Sequence, residues 1–180
     1  MAFSPTKYGG EVARLLALAG GTAGNRSMPL APAGPCSPHA VAELKRSKAR
    51  SLFPKARIPE GAMAGLYLYF SALDEAHSIA QDLETPEGSF WHGIMHRQEP
   101  DEGNASYWFR RVGDHPVFPA LHDAAKLLGF DTGTSWNPFQ FIELCERARK
   151  KPGSEAEHLA MRVQLVEWQL LFDYCGESES

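Results

Sequence analysis

Helix starts and stops recur through the second half of this chain at a spacing that leaves no room for strands. Pro116 stands where a first helical turn tolerates proline, Val117, Leu121, Ala125 and Leu128 follow at helical spacing, and Gly129 ends the pattern. Asn137-Pro138 repeats the start signal, and that helix runs into Arg147, Arg149, Lys150 and Lys151, where the helix dipole favours positive charge. Asn104 is placed to cap a short helix carrying Tyr107, Trp108 and Val112, with Gly113 as its stop. Ser154 with Glu157 forms a capping box for a last helix running toward Gly176. Upstream, Leu66, Tyr69, Phe70, Leu73, His77, Ala80 and Glu84 share one face of a long helix, and Ser71, Glu75, Ser78 and Asp82 share another. No alternating run competes with these patterns. They predict an all-α, compact domain of about six to eight helices.

Gly20 to Pro38 breaks the rhythm with four glycines and four prolines, which sustain neither a helix nor a central strand. It reads as an extended arm lying on the body or on a neighbouring subunit, preceded by a short helix from Gly10 to Ala19. The division is therefore residues 1–38 for short helix and arm, and 39–176 for a single helical domain. At 43% hydrophobic and 22% charged residues, the chain has the composition of a globular protein with a sizeable core. Cys36, Cys145 and Cys175 are far apart, form no C-x-x-C pair and suit a reducing cytoplasm. Val12 to Ala19 is too short for a bilayer span and is interrupted by Arg14, so no membrane association is expected.

Chemistry concentrates between Glu84 and Phe118, which hold three histidines, three arginines and two tryptophans. His92 and His96 lie one turn apart and suit one divalent metal bound from a single helix face. The glutamate that follows the first histidine in H-E-x-x-H hydrolases is replaced by Gly93, so that mechanism does not carry over. A third ligand has to come from His77, Glu84, Glu99 or His115. His77 and Glu84 lie two turns apart on an apolar face, and a glutamate buried there needs a partner, with Arg110 or Arg111 the candidates. Phe90, Trp91, Ile94 and Met95 form the apolar face of the histidine-bearing helix. His92 and His96 therefore meet His77 only if that helix is covered on both sides.

Two ligand chemistries follow. Arg97, Arg110 and Arg111, flanked by Trp91 and Trp108, would hold a small anionic ligand through carboxylate or phosphate oxygens. His92, His96 and Glu84 would serve as metal ligands or acid–base groups for hydrolytic chemistry, with His77 completing a metal site. The rival expectation is a non-catalytic homodimer in which these groups order a helix–helix contact. Lys45 to Arg57 carries six basic residues, but the net charge of −4 and the lack of a recognised motif argue against nucleic acid. The glycines from Gly20 to Ser27 lack the glycine-lysine pair of a phosphate loop, and no G-x-S-x-G elbow is present. Cys145 falls at a helical core position rather than a nucleophile's.

The blocks E-T-P-E-G-S-F-W-H-G-I-M-H-R, N-A-S-Y-W-F-R-R-V-G, H-P-V-F and T-S-W-N-P-F-Q-F-I-E-L-C-E resemble a family of uncharacterised proteins in bacteria and fungi. The resemblance covers about half the chain and leaves out the Gly/Pro-rich arm. It implies no activity, cofactor or role for any residue.

Overall fold

A computed structural model describes residues 3–20 and 22–178. The described residues are all-helical and contain no strand. A 3₁₀ turn over Pro5–Tyr8 leads into α1 (Gly10–Ala17), and the remaining helices are α2 (Pro38–Leu44), α3 (Ala49–Leu52), α4 (Pro59–Tyr69), α5 (Leu73–Gln81), α6 (Pro86–Gln98), α7 (Glu102–Val112), α8 (Phe118–Leu128), α9 (Pro138–Arg149) and α10 (Glu155–Gly176). The ten α-helices among the described residues exceed the six to eight expected. Two of the extra ones are short: α2 leads into the basic stretch and α3 lies within it.

The other extra helix comes from a break that periodicity does not show. The apolar stripe from Leu66 to Ala80 runs across α4 and α5, yet the chain turns between them at Ser71, whose φ is 59°. The Ala72 N–H donates to the Tyr67 carbonyl (2.9 Å) and the Ser71 N–H to that of Leu68 (2.9 Å), the hydrogen-bond pattern of a Schellman stop. Glycine or asparagine usually marks that left-handed position, and serine gives no such warning. The arm completes the stop: Arg26 Nη1 donates to the Tyr69 carbonyl (3.0 Å) and the Cys36 N–H to that of Phe70 (2.9 Å). The two carbonyls that α4 leaves open are thus satisfied by residues of the Gly/Pro-rich segment.

Several cap signals act where the sequence puts them. Asn137 accepts from the Phe139 and Gln140 N–H groups, Ser154 from the Glu157 N–H, and Gly129 ends α8 in the left-handed conformation. Two are displaced. α7 is capped by Asp101, which accepts from the Asn104 N–H, and the proline in the first turn of α8 is Pro119 rather than Pro116.

α6 is the centre of the molecule and is buried on nearly every side, packed by α4, α5 and α7. α10 crosses α4 opposite and also packs on α8 and α9. Gly65 makes that crossing tight, because a Cβ there would stand 2.9 Å from both the Trp91 and Phe172 rings. In the same gap the Trp168 indole N–H donates to the Gly65 carbonyl (2.8 Å). Met28 and Leu30 of the arm are buried in the same core, and Gln164 Nε2 donates to the Met28 and Pro29 carbonyls (3.1 and 3.2 Å). The three cysteines are free, with Cys145 and Cys175 buried. Among the described residues no helix is long and apolar enough to cross a membrane.

Candidate functional site

Because α6 is covered on both sides, its histidine stripe meets α5. The His92 ring centre lies 5.0 Å from that of His77, His96 lies 5.9 Å from His77, and His92 and His96 are 6.0 Å apart. Gly88 brings the two helices this close. A Cβ on it would stand 2.0 Å from the Leu83 carbonyl oxygen, just past the end of α5.

The hydrogen bonds assign protons within the cluster. His92 Nδ1 faces the Gly88 carbonyl at 3.2 Å, so it must carry the proton and donate. Nε2 of the neutral ring is then a bare lone pair, buried and without a partner. Burial holds the His92 pKa down at about 4, and the charges of His77 and His96 add to that, while the Gly88 bond opposes it. The ring is therefore neutral near pH 7. His96 Nδ1 lies 2.9 Å from Glu99 Oε2, a close contact without hydrogen-bond alignment. On the far side of His92 the Trp108 indole stacks at 4.0 Å and 10°.

Other candidates fall elsewhere. Glu84 is not on the apolar helix face: α5 ends at Gln81, and Glu84 is exposed in the connection to α6, away from any need for a buried partner. Trp91 is fully buried core. Arg97, also fully buried, is bound to both oxygens of the equally buried Glu167 and to Gln164 Oε1 (3.4 Å), so it is closed to an outside ligand. Burial pushes the Glu167 carboxyl up, against the pull of the guanidinium. Arg110 and Arg111 are exposed. Arg111 lies over Trp108 at 5.5 Å and Arg110 over Phe139 at 5.7 Å. The three guanidinium groups do not form one anion site.

His115 forms a separate pair. The Val117 N–H donates to His115 Nδ1 (3.3 Å), which places the proton of the neutral ring on Nε2, 3.5 Å from Glu87 Oε1. Within the basic stretch, Lys45 pairs with Glu75 (2.7 Å), Arg50 with Glu60 (3.5 Å), and Arg57 covers the Tyr174 ring.

Sequence reasoning missed Glu87, Gly88, Gln164 and Glu167. Glu87 reads as an ordinary acid in a first helical turn. Glu167 did leave a signal, because with Gln164 it shares the helical face of Ala160, Val163 and Leu171.

Fold and site together define a class: an all-helical protein with three imidazoles gathered from two adjacent helices. Among the described residues, no three His, Cys, Asp or Glu side chains stand ready to hold one metal ion as placed. Comparison with protein-family models, curated proteins and solved structures found no match.

Proposed function

We propose that the protein binds a divalent transition metal through His77, His92 and His96. The observation that carries this is the His92 ring: its Nδ1–H is held by the Gly88 carbonyl, and the opposite nitrogen is a buried lone pair with no partner. Metal-binding histidines are oriented in this way, by a carbonyl or carboxylate on the other ring nitrogen. Glu99 Oε2 lies 2.9 Å from His96 Nδ1, within reach of the same role once the ring turns. Three imidazoles on one tetrahedral ion, with nitrogens about 2 Å from it, have ring centres roughly 5 Å apart, close to the spacing here. Bringing the nitrogens to one point requires the His77 and His96 rings to turn about their side-chain torsions.

The free lone pair of the neutral His92 ring favours a cation over an anion, and the dispersed arginines supply no second reason for an anionic ligand there. Three imidazoles leave a tetrahedral ion one position for water, the arrangement used in metal-assisted hydrolysis. A second reading, polar packing without an ion, is favoured by the Trp108 stack on His92.

The test is the metal content of untagged protein purified without chelator, before and after adding zinc, manganese or iron and removing the excess. About one equivalent should remain bound in the wild type. It should be lost in His77→Gln, at a half-buried position that tolerates the change, and in His92→Ala/His96→Ala. Folded wild type that stays metal-free after addition would overturn the reading in favour of polar packing. Light scattering on the same samples gives the mass, on which the homodimer turns.

A further inference from the structure

A second feature shares no residue with the imidazole cluster. Between the end of α7 and the start of α9 lies a hollow of about 360 Å³, walled by Phe118, Trp136, Pro138 and Phe139, with Arg110 and Asp114 also on its lining. Phe118, Trp136 and Asp114 border an adjoining cavity of about 400 Å³ as well. A space of this size suits a small organic molecule.

The lining favours a negative oxygen. Trp136 is 5% exposed, its ring packs on Phe130 and Phe141, and its Nε1–H meets no acceptor among the described residues. A buried donor left in that state is costly, and a ligand oxygen would satisfy it. Arg110 adds a positive charge. Its guanidinium lies 5.7 Å from the Phe139 ring, itself 37% exposed, and enters no ion pair among the described residues. The third contribution comes from α9, which starts at Pro138 with no acid in its first turn. Asn137 Oδ1 already accepts from the Phe139 and Gln140 N–H groups (3.0 and 3.2 Å), so the helix offers its positive end rather than further donors. Asp114 is the one acid on the lining, and it is exposed.

We infer that this hollow binds a monocarboxylate carrying a flat, aromatic body. One carboxylate oxygen accepts from the Trp136 Nε1–H, and the charge is shared with Arg110 and the positive end of α9. The two side chains need not be fixed at one point beforehand. Trp136 is held in the core, whereas Arg110 is an exposed, flexible chain that follows the carboxylate. The aromatic body lies against Phe118 and Phe139. An ammonium ion would leave the Trp136 donor unsatisfied and meet the like charge of Arg110. A dianion such as phosphate would set a second negative charge beside Asp114.

The test uses three probes with one body: phenylacetate, phenylacetamide and phenethylammonium. Each is titrated into the full chain at low salt and followed by calorimetry and by the indole N–H signals in NMR spectra of isotope-labelled protein. Phenylacetate should bind at least about tenfold more tightly than the other two. The Trp136 indole signal, assigned by its loss in Trp136→Phe, should move during that titration. Arg110→Gln should remove the advantage over the amide, and because the side chain is exposed its far-UV circular dichroism should stay native. The inference is overturned if the three probes bind alike or if phenylacetate shows no binding up to about 10 mM. It is equally overturned if the Trp136 signal stays still while phenylacetate binds, or if the folded Arg110→Gln protein binds it undiminished.

Discussion

Replacing Arg97 by methionine removes the one guanidinium that faces Glu167 and leaves that carboxylate in a site with no access to water. Breaking a buried pair by taking one partner typically costs about 3–5 kcal/mol, because the remaining charge is desolvated and uncompensated. A domain of this size has a total stability of roughly 5–15 kcal/mol, so the loss is a large fraction of the whole. With a urea slope near 2 kcal/mol per molar, the unfolding midpoint should fall by roughly 2 M. Glu167→Leu should cost a similar amount by stranding Arg97, whose guanidinium would keep only the weaker Gln164 contact and the Phe141 ring 4.4 Å away. The double variant Arg97→Met/Glu167→Leu should recover most of the loss, ending within about 1–2 kcal/mol of wild type. The residue of cost is Gln164 Oε1, which loses a donor while its amide N–H groups keep the arm carbonyls. Urea titrations of all four proteins, read by circular dichroism, give the coupling energy directly. Single variants costing under about 1 kcal/mol, or a double variant costing the sum of the singles, would refute this account of the pair.

The Glu87–His115 contact should make stability sensitive to acid. Burial alone would raise the Glu87 carboxyl, but the His115 imidazole 3.5 Å away, its own backbone N–H and Thr85 outweigh it and hold the group below its ordinary range. The unfolded chain therefore takes up that proton first, so the contribution is complete above the ordinary carboxylate pKa and is lost as pH falls through the folded value. Glu87→Gln should flatten the acid limb of a stability-versus-pH curve, and an unchanged limb would contradict the assignment. Gly88→Ala should cost about 3 kcal/mol or more, since its Cβ would meet a backbone carbonyl that no rotamer change can move aside. The same change should shift the His92 ring resonances in NMR spectra, and a thermally neutral variant would show that the α5–α6 approach is looser than described.

The all-helical fold was legible because stop and cap residues announce themselves locally. Asn137 before Pro138, Gly129 after Leu128 and Ser154 before Glu157 act within three residues of where they stand. Ser71 turns the chain without a glycine, and its success depends on Arg26 and Cys36 reaching the end of α4. That dependence has no local trace. The histidines were legible as candidates, but the pattern of α6 described one apolar face where the structure covers nearly all of it. Partners from α5 and α7 supply the second cover, which is why His92 is buried. Arg97 was misread for the same reason: seventy residues separate it from the carboxylate that claims it. Glu84 failed differently, by extending a helical face past the point where the helix ends.

The way the arm is fastened bears on how the chain assembles as it is synthesised. Met28 is held by Gln164, 136 positions later, and Gly24 by Gln169, 145 positions later. Lys7 reaches Glu177 across 170 positions (2.7 Å). A nascent chain emerging from its N-terminus exposes Met28 and Leu30 long before α10 exists to receive them. Closure over such separations is entropically slow, so the arm, made well before α10, is among the last parts to settle. Until α10 is complete, the arm lacks the Gln164 and Gln169 side chains that fasten it. Truncations that remove α10 should therefore release the Gly/Pro-rich arm as well.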